Sequence, residues 1–182
     1  MKNGYTLIEV LVSIVIFTLI SGAAFAIFSS TIKIQKYSLE SQQLLGQTSY
    51  VVEYMSRAFR MAKTQDATGV SCIALDSNYE ISTSDKIRFL TYNGECVEFF
   101  LDSASKQLKM TRNADNLLLA STLDLTSDNF EVTTFKFEIK GETSADNLQP
   151  KVTLFMEIEG ESSGFKPNMK IQTTLSQRDL DF

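Results

Sequence analysis

From Val10 to Phe28 the chain carries no charge, and its polar side chains there are only Ser13, Thr18 and Ser21. As a helix this stretch would span about 28 Å, close to the hydrocarbon thickness of a bilayer. Residues 5–28 are therefore read as a transmembrane helix. A secretory signal peptide has a basic start, an apolar core of roughly 7–15 residues and a small-residue cleavage site. Here the core runs longer, and "SGAAFA" fits such a site only loosely. One residue sits awkwardly in this picture. Glu9 opens the apolar run, although a charge at the bilayer centre costs about 3 kcal/mol or more. It must either reach water near the membrane surface or be compensated by a partner.

The helical pattern continues beyond the membrane stretch. Ile34, Tyr37, Leu44, Val51, Met55, Ala58 and Ala62 recur at helical spacing on one face, with Gln42, Gln43, Glu53, Arg57 and Lys63 between them. No proline interrupts Tyr5 to Lys63, so one helix of about 85–90 Å is predicted, with 29–63 as its amphipathic half. Gly22 and Gly46 are its weak points, at about 1 kcal/mol each relative to Ala, and Gly22 is the candidate hinge. A helix with such a stripe needs a partner layer.

That layer follows in 64–182, where the pattern turns to strands. Candidates are Val70–Leu75, Lys86–Tyr92, Cys96–Leu101, Gln107–Thr111, Phe130–Lys140, Lys151–Glu159 and Met169–Ser176. Val152, Leu154, Met156 and Ile158 face one way, as do Phe135, Phe137 and Ile139. Gln149-Pro150 and "EGESSGFKPN" separate the last strands as turns. The fold class is α+β: a long N-terminal helix packed on an antiparallel β-sheet domain. In "FLTYNGECVEFF" a two-residue Asn-Gly loop would set Phe89 opposite Glu98 and mix the faces. A three-residue loop, Tyr92-Asn93-Gly94 with Gly94 left-handed, sets Phe89 opposite Val97 and Ile87 opposite Phe99. The second register keeps an apolar face intact and is the one expected. Leu90, Cys96 and Phe100 then share the other face.

Composition narrows the chemistry. The chain has 182 residues, a net charge of -5, no histidine and no tryptophan. Without histidine there is no Ser-His or Cys-His couple and no imidazole metal ligand. Two cysteines, Cys72 and Cys96, are too few for a thiolate-built zinc site. No basic run marks nucleic-acid binding. An enzyme is not expected, nor a cofactor or metal. "DSNYE" offers Asp76, Asn78 and Glu80 at alternate positions, but Ile81 and Ile87 stand where a calcium loop needs Gly and Glu. It reads as a polar turn. A Cys72–Cys96 bridge would close a loop of about 25 residues, worth roughly 3–4 kcal/mol. Two separate buried thiols are the alternative. An oxidising compartment for the β-domain would favour N-terminus in, C-terminus out, an orientation that the charges Lys2, Lys33 and Lys36 leave open.

"GYTLIEVLVSI" resembles the processing motif of type IV prepilins and type II secretion pseudopilins: a short basic leader ending in Gly, an aromatic residue, Thr-Leu-Ile-Glu, then an apolar helix. The resemblance implies a leader of residues 1–4, cleavage between Gly4 and Tyr5 by a prepilin peptidase, N-methylation of Tyr5 and a role for Glu9 in assembly. It also suggests why Glu9 is kept: the new Tyr5 amine of a neighbouring subunit could pair with it in low dielectric and set axial register. The implied partners are the peptidase, other pilin or pseudopilin subunits through the N-terminal helix, the inner-membrane assembly platform and the lipid bilayer, with no nucleic acid. The chain would be a single-pass cytoplasmic-membrane protein before assembly and part of an extracytoplasmic filament afterwards. "YVVEYMSRAFRMA" and the ending "IQTTLSQRDLDF" further resemble minor J- or W-type subunits. Many major pilins carry a proline in the second half of the membrane helix, and this chain has none there. Competing readings are a surface-exposed tip adhesin or binding module, and an unprocessed membrane-anchored β-domain.

Overall fold

The computed structural model describes residues 4–67, 71–113, 121–141, 148–160 and 166–178. Residues 1–3, Val70, residues 161–165 of the "EGESSGFKPN" turn and the last four residues lie outside these. The chain divides into two compact units, Met1–Glu40 and Ser41–Phe182. A single helix, α1 (Leu7–Arg60), begins in the first and ends in the second. It is shorter at both ends than the sequence pattern suggests.

In the first unit every described residue past Thr6 is helical, and the large apolar side chains from Tyr5 to Phe28 are exposed, as are Ile34 and Tyr37. The expected stripe therefore needs correcting: Ile34 and Tyr37 do not belong to the buried face, because this unit holds no second element to cover them. The burial begins at Leu44.

In the second unit α1 buries Leu44, Thr48, Val51, Met55 and Phe59, a run at spacings of three and four. Thr48 tolerates full burial because its hydroxyl donates to the Leu44 carbonyl at 2.7 Å. The helix stops at Arg60 without glycine or proline. Its last carbonyls find donors elsewhere: the Tyr79 hydroxyl reaches the Phe59 carbonyl at 2.8 Å, and the Arg178 N–H reaches that of Arg60 at 3.1 Å. The chain then passes into a short strand, β1 (Ala62–Lys63).

Two antiparallel sheets follow. The first contains β1, β2 (Glu80–Thr83), β3 (Lys86–Thr91), β4 (Cys96–Asp102), β5 (Gln107–Asn113) and β6 (Ser121–Asp124). Their order is β1-β3-β4-β5-β6, with β2 also paired to β3. The second contains β7 (Phe130–Lys140), β8 (Lys151–Gly160) and β9 (Asn168–Ser176) in that order. The β3–β4 hairpin has the three-residue loop: Ile87 pairs with Phe99, Phe89 with Val97, and Gly94 adopts φ 79°. A positive φ there is what glycine accommodates without a Cβ clash.

Inward-facing side chains of both sheets meet the helix face in one core. It includes Ile87, Phe89, Val97, Phe99, Leu108 and Met110 from the first sheet, with Phe135, Phe137, Leu154, Met156 and Ile158 from the second. A smaller cluster of Cys72, Ile73 and Leu90, with Cys96 packed against it, covers part of the first sheet's other face. The expected strand Val70–Leu75 is not one over its described residues 71–75. There the Gln65 side-chain oxygen accepts the N–H groups of Cys72 and Ile73, at 3.1 and 3.5 Å, in place of a neighbouring strand.

Candidate processing and assembly site at the N-terminus

The residues singled out by the sequence, Gly4, Tyr5 and Glu9, lie together at the start of α1. Gly4, Tyr5 and Thr6 precede the helix in non-helical backbone, and all three are exposed, Tyr5 at 86 %. The Gly4–Tyr5 peptide bond is thus not locked into helical hydrogen bonding. The first intrahelical bond, Val10 N–H to the Thr6 carbonyl, is 3.3 Å long.

Thr6 occupies the N-cap position and Glu9 the third helical position. The Thr6 N–H donates to Glu9 Oε2 at 3.1 Å, and the Thr6 hydroxyl donates to the same oxygen at 3.0 Å. The Glu9 N–H in turn approaches Thr6 Oγ1 at 3.4 Å. This reciprocal pattern is a capping box, which satisfies backbone donors that a helix start would otherwise leave open. The carboxylate also lies at the positive end of the helix dipole, where an anion is favoured. Thr6 is the residue that motif-level reasoning passed over. Its signal was present all along, since Thr-x-x-Glu ahead of an apolar run is a helix-start signature.

Two polar side chains within the apolar stretch, Ser13 and Thr18, are turned to the backbone. Ser13 donates to the Glu9 carbonyl at 2.7 Å and Thr18 to the Val15 carbonyl at 2.9 Å. In a hydrocarbon environment these bonds leave neither hydroxyl in need of water. Helix α1 has the length and apolarity to cross a membrane. With its exposed apolar surface, this half of the helix calls for lipid or for other helices around it.

Elsewhere, Cys72 and Cys96 form a disulfide with Cα atoms 5.5 Å apart, at a sequence separation of 24. Within "DSNYE", buried Asn78 accepts from the Thr64 hydroxyl at 2.7 Å, and Asp76 takes φ 59° in a turn. Among the described residues no group of three or more His, Cys, Asp and Glu is placed to hold a metal ion. The carboxylates with altered acidity are surface partners of cations and amides. Hydrogen bonding from Lys109, then from Ser105 and the Ala104 N–H, holds Asp102 down to about 2. Lys106 lowers Glu131, and Asn168 and then Lys170 lower Glu157. The Asp102–Lys109 and Glu157–Lys170 pairs join neighbouring strands, and Lys106–Glu131 joins the β4–β5 turn to β7.

No curated protein and no solved structure matches the chain. Residues 1–25 match the family described as the prokaryotic N-terminal methylation motif, so this N-terminus is of the prepilin type, at the head of a helix fit to anchor the chain in a membrane.

Proposed function

We propose that the chain is the precursor of a minor pilin or pseudopilin subunit. The observation that carries this reading is the methylation motif over residues 1–25, set at the start of a 54-residue helix. The precursor sits in the cytoplasmic membrane through residues 5–28, N-terminus in, with the helix continuing to Arg60 as its amphipathic half and the β-rich remainder as the extracytoplasmic domain. A prepilin peptidase cuts between Gly4 and Tyr5, and the Tyr5 amine is methylated. The membrane helix then enters the core of a type IV pilus or type II secretion pseudopilus beside helices of the same kind, with the assembly platform as a transient partner. Glu9 pairs with the Tyr5 amine of a neighbour, where low dielectric strengthens the attraction and penalises either charge left alone. The disulfide, which an oxidising compartment would preserve, supports the orientation. The mechanism is assembly, with no catalytic step assigned to this chain.

The test is the intact mass and N-terminal sequence of the protein from its native membrane. A start at Tyr5 with one added methyl group is expected. A start at Met1 or Lys2 in cells with active prepilin peptidase overturns the proposal. Glu9→Gln then separates the two duties of this side chain. Glutamine preserves a capping box but carries no charge. The variant should be processed and membrane-inserted like the parent, yet fail to enter filaments.

A further inference from the structure

The second unit carries a cleft of about 360 Å³ lined by Arg60, Met61, Ala62, Lys63, Tyr92 and Arg178. It forms where α1 ends, β1 begins and the chain leaves β9, held by the Arg178 N–H to Arg60 carbonyl bond and by Tyr92 N–H to the Met61 carbonyl at 3.0 Å. Buried Gln177 adds a third tie, its amide donating to the Ala62 carbonyl at 2.9 Å. The walls are therefore fixed by hydrogen bonds to backbone carbonyls and not by the exposed cationic side chains that line them.

The lining chemistry departs from the rest of the molecule. In a chain of net charge -5, three of the six described lining residues are cations, and no carboxylate stands among those six. Among the described residues neither Arg60 nor Arg178 has an ion-pair partner, and Lys63 has only Asp66, at 3.4 Å in an exposed pair of little energetic weight. Tyr92 and Met61 are exposed at 75 % and 59 %, so apolar surface lies beside the cations. Cations next to an exposed aromatic and a thioether suit a ligand that alternates carboxylates with apolar side chains.

The geometry points to this cleft as the docking site for an acidic peptide segment of a partner protein, with carboxylates at Arg60, Lys63 and Arg178 and an apolar side chain against Tyr92 and Met61. The inference is independent of the processing reading, because it rests on the second unit alone. A polyanion such as single-stranded nucleic acid fits less well. Its affinity grows with the number of phosphates neutralised, and here three cations line the cleft in a chain of net charge -5.

The experiment is fluorescence anisotropy on the full chain in neutral detergent micelles, with a labelled octapeptide of alternating Asp and Leu as the probe. The Asp/Leu peptide should bind at least tenfold tighter than its Asn/Leu counterpart and weaken as salt is raised. Arg60→Ala with Arg178→Ala should reduce binding at least tenfold. Arg57→Ala, at an exposed arginine paired to Glu53 outside the cleft, should leave it unchanged. Near-ultraviolet circular dichroism checks that each variant is folded. Three results overturn the proposal: no preference for Asp over Asn, tighter binding of a labelled oligothymidylate, or peptide binding seen only after residues 179–182 are removed. The last would mean that the chain's own end competes for the cleft.

Discussion

Replacing Phe59 by alanine is the most direct probe of what holds the β-rich unit together. Phe59 is fully buried, and its ring lies 5.3 Å from Phe89, 5.6 Å from Phe99, 5.9 Å from Tyr79 and 6.1 Å from Phe137. These neighbours come from both sheets and the loop before β2, so Phe59 is where helix, first sheet and second sheet meet. Large-to-small changes of this kind cost about 3–5 kcal/mol, and the upper part applies where the surroundings cannot collapse. Hydrogen-bonded strands on two sides resist collapse, which places the expected loss at about 4–5 kcal/mol. With a urea m-value of about 2 kcal/mol/M, the unfolding midpoint should fall by about 2 M. Phe59→Leu keeps most of the volume but loses the ring edges, worth about 0.5–1.5 kcal/mol per aromatic pair, and should cost about 2 kcal/mol. The chain lacks tryptophan, so near-ultraviolet circular dichroism of its tyrosines is the signal, with Tyr79 against Phe59 as an internal reporter. Phe17→Ala, at an exposed position in the apolar run, is the control and should leave this transition within about 0.5 kcal/mol. A loss below about 2 kcal/mol for Phe59→Ala would refute the idea that this ring joins the three layers.

Four further outcomes are expected. Asp102 is held down to about 2 by Lys109, below the unfolded carboxylate value of about 4, so its contribution to stability is present above pH ~4 and lost as pH falls from there through about 2. Glu131 and Glu157 are lowered too, so the quantity to read is the difference between parent and Asp102→Asn urea midpoints, which should shrink across that window. Opening the Cys72–Cys96 bridge should cost about 3.5 kcal/mol in the chain-entropy treatment, seen as a midpoint shift with reductant that vanishes in the Cys72→Ser/Cys96→Ser variant. Gly141→Ala should destabilise by at least about 2 kcal/mol, since φ is 72° and a Cβ would stand 2.9 Å from the carbonyl oxygens of Leu148 and Gln149. Gly46→Ala, on an exposed helix position with open space around it, should instead raise the urea midpoint by up to about 1 kcal/mol equivalent.

Much of the fold was legible because the periodicities were strong. The alternation of Val152, Leu154, Met156 and Ile158 is the inner face of β8, and keeping an apolar face intact was enough to choose the β3–β4 register. Features the patterning did not show have identifiable causes. In β7 the inward residues change parity, Phe130 and Val132 before Phe135 and Phe137. A bulge between Val132 and Thr134 rephases the strand so that all four are buried. The strands β1, β2 and β6 have at most four residues each, too few to show a period. At 71–75 a glutamine side chain holds two of the backbone N–H groups, which apolar patterning cannot reveal. The basic cleft was invisible for a related reason: Arg60, Tyr92 and Arg178 are far apart in sequence and meet only through tertiary backbone bonds.

At the N-terminus the same four letters, Thr-Leu-Ile-Glu, carry two messages that act at different times on the proposed reading. The donors that hold Glu9 come from Thr6, which lies after the Gly4–Tyr5 bond. Cleavage there removes neither, so the start of the helix does not depend on the leader. What cleavage adds is a cation at the positive end of a helix dipole, where it is unfavourable unless an anion stands close. In water, screening makes that cost small; among packed apolar helices it grows, and each new amine then requires a carboxylate within a few ångströms. In the proposed filament, a carboxylate fixed at the first turn of every helix would meet that requirement between neighbours displaced along the filament axis, and a shift away from that displacement would separate the charges in low dielectric. Capping thus fixes where the carboxylate stands on its own helix, and the proposed processing would create the charge that gives that position a consequence for the next one.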